Sequence, residues 1–140
     1  MLVSELLQHK GDLVVTIHPD ASLEQTAKQL SRFKFGVLVA SEDGKAVTGI
    51  LSERDIVRRI AEVGAPALKV SVRSVMTRNV VTCGLADTTD SVMHMMDEHR
   101  IRHVPVVRPG DGGDEVCGMI SMTDIINHRV KELEQELASN

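Results

Sequence analysis

Two four-residue motifs hold the side chains best suited to chemistry. Ser52-Glu-Arg-Asp55 and Ser121-Met-Thr-Asp124 each set a hydroxyl three residues ahead of a carboxylate. Each follows a glycine and two apolar residues, Gly49-Ile-Leu51 and Gly118-Met-Ile120. Residues three apart at a helix start share a face, so hydroxyl and carboxylate point the same way. A carboxylate can accept both hydroxyls of a ribose, one on each oxygen. The serine hydroxyl, the free N–H groups of a first helical turn and the helix dipole together suit a phosphate. Arg102 and His103, just before Pro105, add a residue type that grips phosphate through paired donors. Arg54 in the first motif is a second phosphate candidate, and its counterpart Thr123 offers only a hydroxyl. Plainer readings stand beside these. Ser-x-x-Asp is also how a helix caps itself, and a single copy would read as capping; its recurrence in the same setting favours a ligand. Arg102 and His103 could be a solvated pair on an edge strand, where a proline costs no ladder hydrogen bond.

The elements that must carry these residues come as a duplicated unit. Val15-Thr-Ile-His-Pro-Asp overlies Val81-Thr-Cys-Gly-Leu-Ala at an offset of 66 residues, and Phe35-Gly-Val-Leu-Val overlies Ile101-Arg-His-Val-Pro at the same offset. From Gly49 onto Gly118 the offset is 69, the difference falling in the turn-rich segment 108–115, where insertions are cheap. A weaker match sets Val3-Ser-Glu-Leu-Leu on Val72-Arg-Ser-Val-Met, also at 69. Within each copy, Val14–Ile17 or Val80–Cys83 predicts a strand. A helix follows, with a capping box at Ser22 and Gln25 and apolar spacing through Leu23, Ala27, Leu30 and Phe33, or Val92, Met93 and Met96 in the second copy. Then come Gly36–Ala40 or Ile101–Val107, a turn, and Val47–Leu51 or Val116–Ile120 as a hairpin, and a helix from Ser52 or Ser121. The expected fold is therefore α/β (of the α+β kind), two β-α-β-β-α repeats packed with pseudo-twofold symmetry because one alone has too small a core. The expected divisions are repeat 1 over 3–60, a linker and short helix over 61–74, repeat 2 over 75–127 and a helical extension over 128–140.

The doubled unit, with Gly-h-h-Ser-x-x-Asp closing each copy (h apolar) and Ile101-Arg-His-Val-Pro-Val in the second, resembles the cystathionine-β-synthase (CBS) domain pair, in particular the stand-alone bacterial type. The resemblance runs from about Val3 to about Ile126. It implies a regulatory module that binds adenosine nucleotides in the cleft between two repeats, and a flat, disc-like homodimer. It also implies that Thr16 and Thr82 line the site, that backbone from His103 through Val104 and Pro105 to Val106 meets the adenine edge, and that Leu38 answers to Val104 in the first copy. Gly36-Val-Leu-Val-Ala40 lacks the Arg-His-x-Pro of the second copy and departs from the pattern there.

Composition narrows the alternatives. Of 140 residues, 42% are hydrophobic and 26% charged, the balance of a globular chain. A formal charge of −4 and the absence of Trp and Tyr disfavour a nucleic-acid clamp built on basic faces and aromatic platforms. Apolar runs are too short to span a bilayer. Two cysteines without an export signal read as reduced thiols, and the expected location is the cytoplasm. Cys83 and Cys117 fall on strand positions as small buried groups, and Met93, Met95 and Met96 on a helical core stripe. His94, His99 and His103 lie close in sequence but read as surface or helix-end histidines rather than metal ligands, and no nucleophile–base pair is recognisable. Ile126, Val130, Leu133 and Leu137 form a heptad-like stripe that packs along the body or across a dimer contact. The leading expectation is a homodimeric, non-enzymatic sensor for AMP, ADP, ATP or NAD, with no catalytic cofactor or metal, acting on an unidentified protein. An alternative is a ligand-free module that docks to an enzyme, channel or thioredoxin-like partner, and a third is nucleic-acid binding.

Overall fold

β-Prone sequence becomes strand only where a partner backbone is available, and this shortens the opening strand of each copy. The computed structural model describes residues 1–33 and 35–139, so that Asn140, the end of the expected extension, lies outside it. β1 (Thr16–Ile17) lies parallel to β2 (Val37–Ala40), with Thr16 opposite Val39, and β2 runs antiparallel to β3 (Gly49–Ser52). The second sheet repeats the order: β4 (Cys83–Gly84) is parallel to β5 (His103–Gly110), with Cys83 opposite Val106, and β6 (Gly113–Ser121) completes it. Val14, Val15 and Val80–Thr82 stay outside the ladders, so Thr82 precedes its strand rather than ending it.

Two expectations about the second copy need correction. β5 is the central strand of its sheet, not an edge. Pro105 is tolerated there because β4 is only two residues long and pairs with Val106 and Val107, beyond the proline. The segment expected to be a turn at 109–113 instead extends the hairpin arms, and only residues 111 and 112 remain between β5 and β6. The first copy keeps a loop at the corresponding place. Asp43 closes it by accepting N–H bonds from Lys45 (2.8 Å) and Ala46 (2.9 Å), which hold its carboxyl below the usual range.

The helices are α1 (Val3–Lys10), α2 (Leu23–Phe33), α3 (Glu53–Val63), α4 (Thr89–His99) and α5 (Met122–Ser139), with 3-10 turns at Ala65–Lys69 and Val72–Ser74. The expected capping box at Ser22 is formed in both directions, Gln25 N–H to Ser22 Oγ at 3.1 Å and Ser22 N–H to Gln25 Oε1 at 2.9 Å. Leu23 and Leu30 are buried as the helical spacing requires, and so are Val92 and Met96; Met93 is exposed and leaves the core stripe.

The residues segregate into two compact units that cut across the sequence repeats. One comprises Met1–Leu13, Val81–Arg108 and Cys117–Asn140; the other comprises Val14–Val80 and Pro109–Val116. The cause is a reciprocal exchange of leading segments. In the first-named unit, Val3 N–H bonds to Asp87 O and Thr89 N–H to Met1 O, both at 2.8 Å, and Leu7 lies against Gly118. In the other, Val72 N–H bonds to Ala21 O and Leu23 N–H to Val70 O, both at 2.9 Å, and Met76 lies against Gly49. Each unit is thus one copy's core and helices closed by the other copy's leading segment, with the second copy's hairpin tip, Pro109–Val116, grouped with the first copy. The glycine of each Gly-h-h-Ser motif is required by that close approach. A Cβ on Gly118 would stand 2.8 Å from Leu7 Cδ1, and one on Gly49 would stand 2.9 Å from the Thr77 carbonyl oxygen. Each unit has its own core, one built on Val3, Leu6, Val92, Met96, Val104 and Ile120, the other on Leu23, Leu30, Leu38, Leu51 and Val72.

Candidate functional site

Both strand-to-helix joints form as the motif predicts. Ser52 is the N-cap of α3: Asp55 N–H donates to its Oγ at 3.4 Å, and its own N–H donates to Asp55 Oδ2 at 2.8 Å. At the start of α5 the same two bonds measure 3.1 Å, Asp124 N–H to Ser121 Oγ, and 2.9 Å, Ser121 N–H to Asp124 Oδ2. Capping is therefore real in both copies, and it occupies one oxygen of each carboxylate. Both aspartates are partly exposed, which leaves the motif open to a second partner.

That second partner differs. In the first copy, Arg58, one turn further along α3, approaches Asp55 Oδ1 at 3.6 Å. In the second, Lys10 from the last turn of α1 reaches across 114 residues of sequence. Its Nζ donates to Asp124 Oδ2 at 2.7 Å and to the Met119 carbonyl at 2.5 Å. Burial acts to raise the Asp124 carboxyl, but the Lys10 bond, the Ser121 N–H and the Lys10 charge outweigh it and bring the carboxyl below its ordinary value. Asp124 is thus ionised at neutral pH.

Arg102 is delivered to the same joint by its backbone, whose carbonyl accepts the Met122 N–H that opens α5, at 2.8 Å. Gly36 does the same for Glu53 in the first copy at 3.0 Å, but it has no side chain to present. The Arg102 side chain is exposed and forms no ion pair among the described residues. His103 follows on β5, half-buried. Burial lowers its pKa, Lys10 and Arg102 push the same way, and Asp124 opposes them. The imidazole is therefore neutral at pH 7. Lys10, Arg102, His103, Ser121 and Asp124 form one polar cluster at one helix N-terminus, with Thr82 just before the strand that borders β5.

Other expected residues contribute less. Val104 and Leu38 are core side chains, 0% and 1% exposed, so they can offer a ligand only backbone. Pro105 is buried as well. Arg54 and Thr123 are exposed, and Ser52, Asp55 and Thr16 are grouped in the unit that does not hold Asp124. Lys10 and Arg58 were missed by sequence reasoning. Arg58 has a local signal, the i,i+3 spacing to Asp55. Lys10 has none, because its counterpart at an offset of 69 is Asn79.

A groove of about 390 Å³ lies elsewhere, lined by Met93, Ile126, His128 and Val130 among others, and contains none of these residues. Its apolar walls match the α5 stripe rather than a phosphate ligand. Ile126, Val130, Leu133 and Leu137 are each at least 46% exposed, so this chain covers the stripe only in part. The Cys83 thiol is pushed up to about 12, first by burial and then by Asp87 and Cys117, and so stays protonated. Among the described residues no group of three or more His, Cys, Asp or Glu is placed to hold a metal ion, and no helix is long and apolar enough to cross a membrane.

The sequence matches the CBS domain over residues 11–62 and 72–131. The solved CBS-domain containing protein ATU1752 from Agrobacterium tumefaciens is 42% identical, with a TM-score of 0.81 over 91% of this chain and 98% of that one. The CBS domain pair of protein MJ0100, solved in complex with 5′-methylthioadenosine and S-adenosyl-L-methionine, is 28% identical, with a TM-score of 0.80 over 94% of this chain and 98% of that one. Among curated relatives, the mitochondrial CBS domain-containing protein CBSX3 of Arabidopsis thaliana is 30% identical over 143 residues, covering 96% of this chain and 68% of its own length. Several other curated relatives are much longer, and this chain spans only 16–36% of them.

Proposed function

The chain belongs to the CBS-domain family in two copies, and on that basis we propose that it is a regulatory module binding an adenosine nucleotide (AMP, ADP, ATP or NAD) at the Asp124 joint. The observation that carries this reading is the cluster at the α5 N-terminus, where a carboxylate for ribose hydroxyls sits beside two cations for phosphate, Lys10 and Arg102. The adenosine compounds held by the 28% identical MJ0100 pair support the adenosine part of this reading. The module acts by binding rather than turnover, a reading supported by the two CBS-domain matches that take up most of the chain. The free thiols of Cys83 and Cys117 fit a cytoplasmic, reducing setting.

The apolar α5 stripe and the groove beside it favour a homodimer, since contiguous exposed apolar surface marks an interface. The regulated protein is a separate partner, of unassigned identity.

The decisive experiment is calorimetric titration of the purified protein with AMP, ADP, ATP and NAD, alongside mass spectrometry of small molecules released by denaturation. Saturable binding, with the nucleotide recovered unchanged after hours with stoichiometric protein, is the expected result. Steady conversion of the nucleotide would replace the module with an enzyme, and no binding would leave protein docking as the function. Light scattering is expected to give twice the 15.3 kDa chain mass; a stable single-chain species at micromolar concentration would remove the dimer.

A further inference from the structure

Lys10 is the member of the Asp124 cluster that comes from the other copy's leading segment. It comes from α1, is matched by Asn79 at the repeat offset, and is anchored at two points, the Met119 carbonyl and Asp124 Oδ2. Its side chain is only 30% exposed, and that of Asp124 only 24%. The pair is therefore shielded enough for charge to matter, yet open enough for exchange. With His103 neutral, Lys10, Arg102 and Asp124 leave the cluster a net positive charge of one. Asp124 Oδ2 already accepts from both Ser121 N–H and Lys10, while Oδ1 accepts no hydrogen bond among the described residues, so a ribose that engages both oxygens must share Oδ2 with the lysine or displace it.

An uncharged ligand that does so leaves a partly buried ammonium without its counter-ion, which is costly. A ligand that brings its own negative charge supplies a replacement. We propose that Lys10 is the specificity-determining residue of this site, admitting phosphate-bearing adenosine compounds over uncharged ones by trading Asp124 for the ligand's phosphate. This rests on the nucleotide reading above and deepens it, because it assigns the ligand class to anionic adenosine compounds. A lysine serves this better than a fixed donor, since its ammonium is a point charge on a flexible stem that can swing between two acceptors.

The test is calorimetry of wild type, Lys10→Met and Lys10→Arg with two probes, AMP and adenosine, which differ only in the phosphate. In wild type, AMP should bind at least about tenfold more tightly than adenosine. In Lys10→Met that ratio should collapse toward one, through loss of AMP affinity with adenosine affinity unchanged or raised. Lys10→Arg should restore part of the ratio. If Lys10 is merely a strut tying α1 to β6 and α5, Lys10→Met will lower the melting temperature and weaken both probes alike, keeping the ratio; that result overturns the proposal. Wild type that binds both probes without preference overturns it while leaving the nucleotide reading intact. Wild type that binds neither overturns both.

Discussion

The joints at Ser52 and Ser121 share a backbone and differ in their electrostatics. Each has the same serine cap, the same carboxylate bonded back to the N-cap N–H, and the same carbonyl accepting the first helical N–H, from Gly36 in one case and Arg102 in the other. Beyond that they part. Asp55 meets an arginine of its own helix, whereas Asp124 meets a lysine from α1 and stands beside Arg102 and His103. The lesson is that a duplicated motif preserves what folding needs and diverges in what lies around it. The cap is common property, and the charges around it come from residues outside the motif.

The sharpest way to break this comparison is to remove the charge from each aspartate while keeping an acceptor for the cap. Asp124→Asn should weaken AMP binding by about 2 kcal/mol, roughly thirtyfold, whereas Asp55→Asn should cost less than about 1 kcal/mol. Calorimetry giving equal losses would make the joints equivalent. The glycines come next. Gly49→Ala and Gly118→Ala should each destabilise by about 1–3 kcal/mol in denaturant melts, with Gly49→Ala the worse. A Cβ there meets a backbone carbonyl that cannot step aside, whereas at Gly118 it meets the movable end of Leu7. The serines should behave alike, Ser52→Ala and Ser121→Ala each costing about 1 kcal/mol of stability. A large difference between them would show that one serine does more than cap.

The smallest effect is a pH slope confined to the second copy. Burial lowers the His103 pKa from its ordinary 6.5, so below about pH 6.5 the unfolded chain takes up a proton that the folded chain resists. Stability should therefore fall as pH drops through that range. His103→Val, which installs the first copy's residue Val37, should flatten the fall in thermal melts recorded from pH 7.5 to 5.5.

Sequence made the repeat, the joints and their caps legible because these are local: a serine and an aspartate three apart need no distant partner. It misjudged Pro105, since whether a strand is central depends on where others stop, and β4 stops after two residues. It showed that Val3–Leu7 resembles Val72–Met76 but not which sheet each closes, because the exchange is decided by tertiary packing. Lys10 was invisible for the same reason, with its partner 114 residues away and no second copy to betray it.

That exchange also orders events during synthesis. α1 emerges well before its partners: Gly118, Met119 and Asp124, which it packs against or bonds to, are made more than a hundred residues later. At typical elongation rates of about 5–20 residues per second, the helix waits on the order of 5–20 seconds. Over that interval it is an eight-residue segment too short to hold its shape alone. The sheet carrying β1, β2 and β3 has its closing segment, Val72–Met76, within a few tens of residues, so its core can set while translation continues. The lysine beside Asp124 is thus made more than a hundred residues before the carboxylate and carbonyl that fix its place.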